Sequence, residues 1–124
     1  MTRKLMFCCA LIALGVLIGR VTAAEPPRAL PPRALIDEQE VLNNSSVRVA
    51  LITYQPGADS DLHLNLGPEI TIMQEGELAL YADAGREALR PPAAHWLPES
   101  TVHLARNESK RPARFWSILL KRCD

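Results

Sequence analysis

The sequence predicts a small all-β domain, an antiparallel barrel or sandwich. From Val47 onward, short runs rich in β-branched and aliphatic residues are separated by turns that contain Pro or Gly. Between these runs there is no stretch with the 3.6-residue period of an amphipathic helix. The length of 124 residues, of which 48% are apolar, suffices for one domain with its own core and excludes a multidomain enzyme.

The charge balance argues against nucleic acid as a partner. The chain has 14 basic and 14 acidic residues, and only 23% of its residues are charged. A nucleic-acid-binding domain usually carries a basic surface, and a disordered acidic tail would shift the balance the other way. Neither pattern is present in this composition.

Residues 1–24 have the composition of a signal peptide. Arg3 and Lys4 precede an uncharged apolar run at residues 5–19, and residues 21–24 (Val-Thr-Ala-Ala) offer small residues at positions −3 and −1 of a cleavage site. The run is shorter than the roughly 20 residues that cross a bilayer. We therefore expect cleavage after Ala23 or Ala24, a periplasmic or secreted product and no stable membrane insertion. A retained anchor is the alternative.

Removal of this segment changes the charge and the cysteine count. Three of the 14 basic residues and no acidic residue lie within it, which leaves 11 basic against 14 acidic residues and a net charge of about −3. Cys8 and Cys9 also lie within it, so the mature chain would keep only Cys123. That thiol is expected to be either inert or part of an intermolecular disulfide.

Residues 25–46 are expected to form a proline-rich leader followed by a short helix or turn. The sequence Pro-Pro-Arg-Ala-Leu occurs at 26–30 and again at 31–35, and its prolines favour an extended, polyproline-like chain. The leader would serve as a spacer or as an arm that docks on a neighbouring subunit. Residues 36–42 are predicted to form a turn or two of helix, ended by the Asn-Asn-Ser-Ser sequence at 43–46.

Residues 47–124 are assigned to the β domain. A turn at residues 74–77 is predicted to form a hairpin, with Gly76 at positive φ. Seven strands are predicted within the domain, at 47–54, 62–66, 69–74, 77–82, 95–97, 102–105 and 115–120.

Alternation brings polar side chains to one side of these strands. Along residues 62–66, His63 and Asn65 share one face and three leucines share the other. The turn that follows would bring Glu69 to the same face if the two strands pair, and His103 also lies between apolar neighbours. Two imidazoles, one carboxylate and one amide can then converge inside a barrel.

The spacing of these residues resembles the first motif of the cupin superfamily. That motif consists of glycine, five residues, His-x-His, three or four residues, glutamate, six residues and glycine. Every interval is kept in this sequence, with asparagine in place of the second histidine: Gly57, His63, Asn65, Glu69 and Gly76.

The second cupin motif is also similar. It consists of glycine, five residues, Pro-x-Gly, two residues, histidine, three residues and asparagine. The intervals are again kept, with proline and serine in place of the two glycines: Pro92, Pro98, Ser100, His103 and Asn107. Fifteen residues separate the two motifs, like the short spacer of small bacterial cupins.

The resemblance implies a jelly-roll barrel that binds one divalent metal ion. His63, Glu69 and His103 would be ligands, and Asn65 would be a fourth ligand or a hydrogen-bond donor to a bound water. Two imidazoles with oxygen donors tolerate Fe(II), Mn(II), Zn(II) or Ni(II), and the sequence does not select among them. The alternative is a barrel that has lost the metal, in which ordinary hydrogen bonds hold these side chains.

Two functions follow from the resemblance. One is a metal-dependent enzyme of dioxygenase, isomerase or lyase type that acts on a small oxygenated molecule, with His95 as the candidate catalytic proton carrier. The other is a non-catalytic module of the cell envelope that binds a small ligand or a metal. Thr71 and Met73 would wall the pocket, Asn107 would be structural, and fold analogy favours a homodimer paired through edge strands.

Overall fold

A computed structural model describes residues 31–122, in which β-strands predominate. The predicted signal peptide at 1–24, the leader through residue 30 and Cys123 lie outside the described residues. Within residues 31–122 no helix has the length and hydropathy of a membrane span. A 3-10 helix at Pro32–Leu35 precedes nine strands: β1 Ile36–Asn43, β2 Val47–Tyr54, β3 His63–Leu64, β4 Glu69–Glu75, β5 Leu78–Ala82, β6 Gly85–Leu89, β7 Ala94–Leu97, β8 Val102–Arg106 and β9 Ala113–Leu120.

The nine strands form two antiparallel sheets. The larger sheet has the order β1-β2-β9-β4-β7, and the smaller sheet has the order β3-β8-β5-β6. The chain stays in one sheet only between β1 and β2 and between β5 and β6, and it changes sheet at each of the other six connections between strands β1 to β9. This is the small antiparallel jelly roll that the sequence predicted.

The apolar core fills one end of the space between the sheets. On the larger sheet, Ile52 of β2, Phe115 of β9 and Met73 of β4 lie in one row and are buried. The next inward rows hold polar side chains, among them Ser117 and Thr71. The inner faces of the sheets therefore change from an apolar core to a polar cavity along the strands.

The helix predicted at residues 36–42 is wrong, because this segment forms strand β1. A helix of two turns is marginal without a packed apolar face, whereas β1 pairs with β2 along nearly its whole length. Arg48 of β2 forms ion pairs with Glu38 and Glu40, the latter at 2.7 Å. The Asn-rich segment at 43–46 is the hairpin turn, in which Asn44 Oδ1 accepts hydrogen bonds from two backbone amides.

The turn at residues 74–77 connects two sheets and is not a hairpin. Strand β4 pairs with β7 and β9, whereas β5 pairs with β6 and β8. Gly76 has the expected positive φ, +74°, and a Cβ atom here would lie 2.2 Å from the carbonyl oxygen of Pro112. Glycine is therefore required by both the backbone conformation and the close approach.

Candidate metal centre

Two histidines face each other on the inner side of the smaller sheet. His63 of β3 and His103 of β8 are register partners, and their ring centroids are 4.2 Å apart with 58° between the ring planes. His103 is buried, and His63 is partly buried. The pairing of β3 with β8 thus brings together two predicted ligands that lie 40 residues apart in the sequence.

Backbone carbonyls define the tautomer of both rings. Nδ1 of His63 lies 2.9 Å from the carbonyl oxygen of Asp61, and Nδ1 of His103 lies 2.9 Å from that of Thr101. A carbonyl oxygen only accepts hydrogen bonds, so each Nδ1 carries the proton and donates it. The Nε2 lone pair of each ring is left available, which is the usual state of a metal-binding histidine.

Glu69 reaches the cavity from the opposite sheet. Its Oε1 accepts a hydrogen bond from Ser117 Oγ at 2.6 Å, and its Oε2 accepts one from Asn65 Nδ2. The sequence analysis expected Glu69 to join His63 if their two strands pair, and this condition is not met, since β3 pairs with β8 and β4 pairs with β7 and β9. Glu69 and His63 meet as lining residues of one cavity, across the sandwich.

The cavity has a volume of about 430 Å³. Thr71 lines it as predicted, whereas Met73 belongs to the apolar core, with 3% of its surface exposed. Ser117 was not predicted as a site residue, although alternation along β9 places it inward between Phe115 and Leu119. The predicted ligands that line the cavity are His63, Asn65, Glu69 and His103.

The donor types fit a divalent metal, and the imidazole rings of His63 and His103 face each other. Among residues 31–122, no group of three or more His, Cys, Asp or Glu side chains has the geometry of a metal site. The carboxylate of Glu69 points to Ser117 and Asn65. Each of its oxygens has a second lone pair, so these hydrogen bonds leave it able to act as a ligand.

Burial keeps His103 neutral near physiological pH. Desolvation lowers the pKa of its imidazole below the usual 6.5, and the nearby His63 lowers it further. The hydrogen bond to the Thr101 carbonyl acts in the opposite direction but is outweighed. Burial also raises the pKa of Tyr54, on the cavity wall, to about 12, so its phenol stays protonated.

The stability of the protein should fall as the pH decreases below about 6.5. Since the pKa of His103 is lower in the folded state, the unfolded chain takes up this proton first, and the stabilisation present above pH 6.5 is lost on acidification. Urea unfolding between about pH 5.5 and 7.5 measures this slope, above the range in which most carboxylates titrate. In the variant His103→Gln, the free energy of unfolding should change less with pH than in the parent protein. Equal changes would contradict the assignment of this pH dependence to His103.

His95 lines the cavity, as predicted for the candidate proton carrier. It lies on β7 beside Thr71, and its Nε2 is 3.1 Å from Oε2 of Glu87 on β6. Its Nδ1 is buried without a hydrogen-bond partner, the only such side-chain atom among residues 31–122. Glu87 was not predicted, because the short and polar β6 has no apolar alternation.

Comparison with known proteins agrees with the fold. Residues 50–119 match the family model described as "Cupin domain", which covers more than half of the chain. The chain belongs to the cupin family. No curated protein matches this cupin significantly.

Solved structures match this cupin at low sequence identity. A sugar phosphate isomerase from Silicibacter pomeroyi is 22% identical, with 81% of this chain and 68% of that chain covered and a TM-score of 0.66. KdgF from Halomonas sp. is 17% identical, with 78% and 86% covered and a TM-score of 0.64. A cupin domain from Bordetella pertussis is 21% identical, with 70% and 94% covered and a TM-score of 0.61. These similarities show the fold alone.

Proposed function

We propose that this cupin binds one divalent metal ion in its barrel cavity. Nε2 of His63 and Nε2 of His103 would be the nitrogen ligands, with oxygen ligands from Glu69 and Asn65. The observation that carries the proposal is the pair of facing imidazoles, each with Nδ1 hydrogen-bonded to a backbone carbonyl and Nε2 available. Two imidazoles with hard oxygen donors suit Fe(II), Mn(II), Zn(II) or Ni(II).

The proposed activity is that of a metal-dependent enzyme acting on a small oxygenated molecule, of dioxygenase, isomerase or lyase type. When bound, the metal would supply Lewis acidity to such a ligand. Ser117 and Asn65 orient the carboxylate of Glu69, and Glu87 holds the imidazole of His95. With Nε2 directed at a carboxylate and Nδ1 unpaired, His95 is the group to accept or return a proton.

The size of the cavity supports a small ligand. A volume of about 430 Å³ lies in the range of small-molecule sites. The description of one structural neighbour as a sugar phosphate isomerase is in line with this class of ligand. Export to the periplasm or the medium is also proposed, from the composition of residues 1–24, and a mature N-terminus at residue 24 or 25 would support it.

A non-catalytic binding module of the cell envelope is the second candidate. It is favoured by the hydrogen bonds that Asn65 and Ser117 donate to Glu69. A carboxylate with two such donors is stabilised in its charged form and does not need a cation to balance its negative charge. Such a module would bind a small ligand, with the imidazoles of His63 and His103 as hydrogen-bond acceptors, or it would bind a metal without catalysing a reaction.

Metal analysis of the protein purified from its own compartment tests the proposal. We expect about one equivalent of a divalent metal, and Glu69→Gln should weaken its retention at least about tenfold because a charged ligand is lost. Glu87→Gln is the matched control. It also removes one negative charge, but at a carboxylate that contacts His95 and is not a proposed ligand. Absence of stoichiometric metal even after reconstitution would reject the metal-based function.

Oxygen consumption separates the enzymatic possibilities once metal is present. A panel of diols, β-diketones and thiols should include a compound that stimulates oxygen uptake if the protein is a dioxygenase. Uptake should then fall in His95→Gln while the metal content stays unchanged. Metal binding without oxygen uptake for any compound would favour an isomerase, a lyase or a module that binds metal without catalysis.

A further inference from the structure

The segment that leads into β3 changes the side to which its side chains point. Ser60 and His63 both line the cavity. On a regular strand, residues three positions apart point to opposite faces of the sheet, because the side-chain period is two. The segment between Ser60 and His63 therefore contains one residue more than a regular strand would have.

Pairing with β8 locates this extra residue. Asp59 forms an antiparallel bridge with Arg106, and His63 pairs with His103. Three residues lie between Asp59 and His63, whereas only two lie between His103 and Arg106. This two-sided mismatch is a β-bulge, a feature that re-aims side chains and that is common next to active sites.

Asp61 is the bulged residue, and hydrogen bonds hold its backbone in place. Its φ is +62°, in the left-handed region that L-residues rarely adopt. Its amide donates to Oδ1 of Asp59 at 2.8 Å, and its carbonyl accepts from Ser60 Oγ at 3.1 Å. The same carbonyl accepts the hydrogen bond from Nδ1 of His63. The conformation at Asp61 therefore determines both the face and the tautomer of His63.

An ion pair on the outer face of β8 holds Asp59. Nε and Nη2 of Arg106 both donate to Oδ2 of Asp59, at 2.7 and 2.6 Å, which leaves Oδ1 for the Asp61 amide. The guanidinium also lies over the ring of Tyr81, 5.7 Å from its centroid. The side chain of Asp59 is only 16% exposed, so the pair is partly shielded from water. We call Asp59 and Arg106 the bulge clamp.

Three leucines oppose the observed register. Leu62, Leu64 and Leu66 alternate with the two polar residues of the segment and are 67%, 48% and 83% exposed. Without the bulge, the segment would pair with β8 one residue out of register, and every side chain would change face. The leucines would then point inward, while His63 and Asn65 would point to solvent. Apolar burial favours this slipped register, so the observed one must be held by other contacts.

We propose that the bulge clamp positions His63 and Asn65, by holding the bulge at Asp61 so that both side chains face the cavity. Asp59 and Arg106 do not line the cavity, so they act as positioning residues and not as ligands. The orientation of His63 can be measured in metal-free protein. Only the effect of the clamp on metal affinity rests on the proposed function.

Removal of the clamp is tested with Arg106→Gln, by ¹⁵N NMR of the metal-free protein at about pH 8, above the ordinary imidazole pKa. His63 should change from the single Nδ1–H tautomer to a mixture and lose its ring contact with His103, while His103 keeps its own tautomer. Arg106→Lys keeps a charged donor and should preserve the tautomer of His63. The affinity for Zn²⁺ should fall at least about tenfold in Arg106→Gln.

The matched control is Arg90→Gln. Arg90 also pairs with a carboxylate, that of Glu77 at 2.5 Å, but neither residue contacts the segment that leads into β3. This variant should leave the tautomer of His63 and the affinity for Zn²⁺ unchanged.

Deletion of Asp61 tests the bulge itself, because it removes the extra residue and leaves both members of the clamp in place. We expect His63 to turn outward and the three leucines to become buried, in a chain that still folds because His103 and the rest of β8 are unaffected. Zn²⁺ affinity should then be as low as in His63→Ala.

Three results would overturn the proposal. One is a His63 that keeps its Nδ1–H tautomer and its contact with His103 in Arg106→Gln. Another is an equal disturbance of His63 in Arg90→Gln. The third is a simultaneous loss of the His103 tautomer in Arg106→Gln, which would indicate general loosening of the sheet. If the parent protein binds no metal but the NMR results are as expected, the metal-based function fails and the role of the bulge clamp stands.

Discussion

Replacing His103 by alanine is expected to lower the affinity for Zn²⁺ by about two to three orders of magnitude. Zinc binding to a four-ligand protein site contributes roughly 10 to 16 kcal/mol, or about 2.5 to 4 kcal/mol for each ligand. Both rings have Nδ1 hydrogen-bonded to a backbone carbonyl, but His103 is buried whereas His63 is only partly buried, so His103 is held more firmly in place. Competition titration against a chromophoric chelator measures the change.

His95→Ala is the control for this prediction. It removes an imidazole from the same cavity, but this ring contacts Glu87 and is not opposite the other two histidines in the smaller sheet. Its Zn²⁺ affinity should stay within about threefold of that of the parent protein. Equal losses for His103→Ala and His95→Ala would contradict the assignment of His103 and His63 as the ligand pair.

Replacing Asn107 by alanine is expected to destabilise the fold by about 3 kcal/mol or more. Asn107 is completely buried, and its Nδ2 donates to the carbonyls of Tyr54 and Arg111 at 2.9 and 2.7 Å. Its Oδ1 accepts from the amide and the hydroxyl of Ser109. Alanine would leave buried polar groups without partners, which costs about 1 to 3 kcal/mol for each group.

Urea unfolding compares this variant with Asn43→Ala. The side chain of Asn43 is exposed, so its replacement should change the free energy of unfolding by less than about 1 kcal/mol. Asn107→Asp should be at least as destabilising as Asn107→Ala, because a carboxylate would face two carbonyl oxygens. A change below about 1 kcal/mol for Asn107→Ala would show that the corner between β8 and β9 does not depend on these bonds.

Most of the fold could be predicted because the strands that build the core have a clear local pattern. Val47–Tyr54 was predicted with the observed boundaries, since β-branched residues and alternation coincide there. Strands β1 and β6 were missed, because both are mostly exposed and rich in charged residues, and their pairing partners rather than their own patterns make them strands. The predicted hairpin at Gly76 failed because local sequence determines the turn but not which sheet follows it.

The residue types of the site, and the strand faces on which they lie, could be predicted from the sequence. The spacing from Gly57 to Asn107 identified His63, Asn65, Glu69 and His103, which all line the cavity. Which strands would be neighbours was not predictable from the sequence. Ser117 lies on β9 beside Glu69 on β4, and Glu87 contacts His95 across the sandwich, so both were identified only from their hydrogen bond and ion pair in the structure.

The central claim, that two imidazoles with available Nε2 atoms bind a metal in the barrel, is tested most directly by ¹⁵N NMR of the histidine rings. The chain has only three histidines, so each ring can be assigned. We predict the Nδ1–H tautomer for His63 and His103, and a large shift of both Nε2 resonances with one equivalent of Zn²⁺ while the ring of His95 is unaffected. An Nε2–H tautomer at either residue, or Nε2 resonances that do not respond to Zn²⁺, would contradict the account.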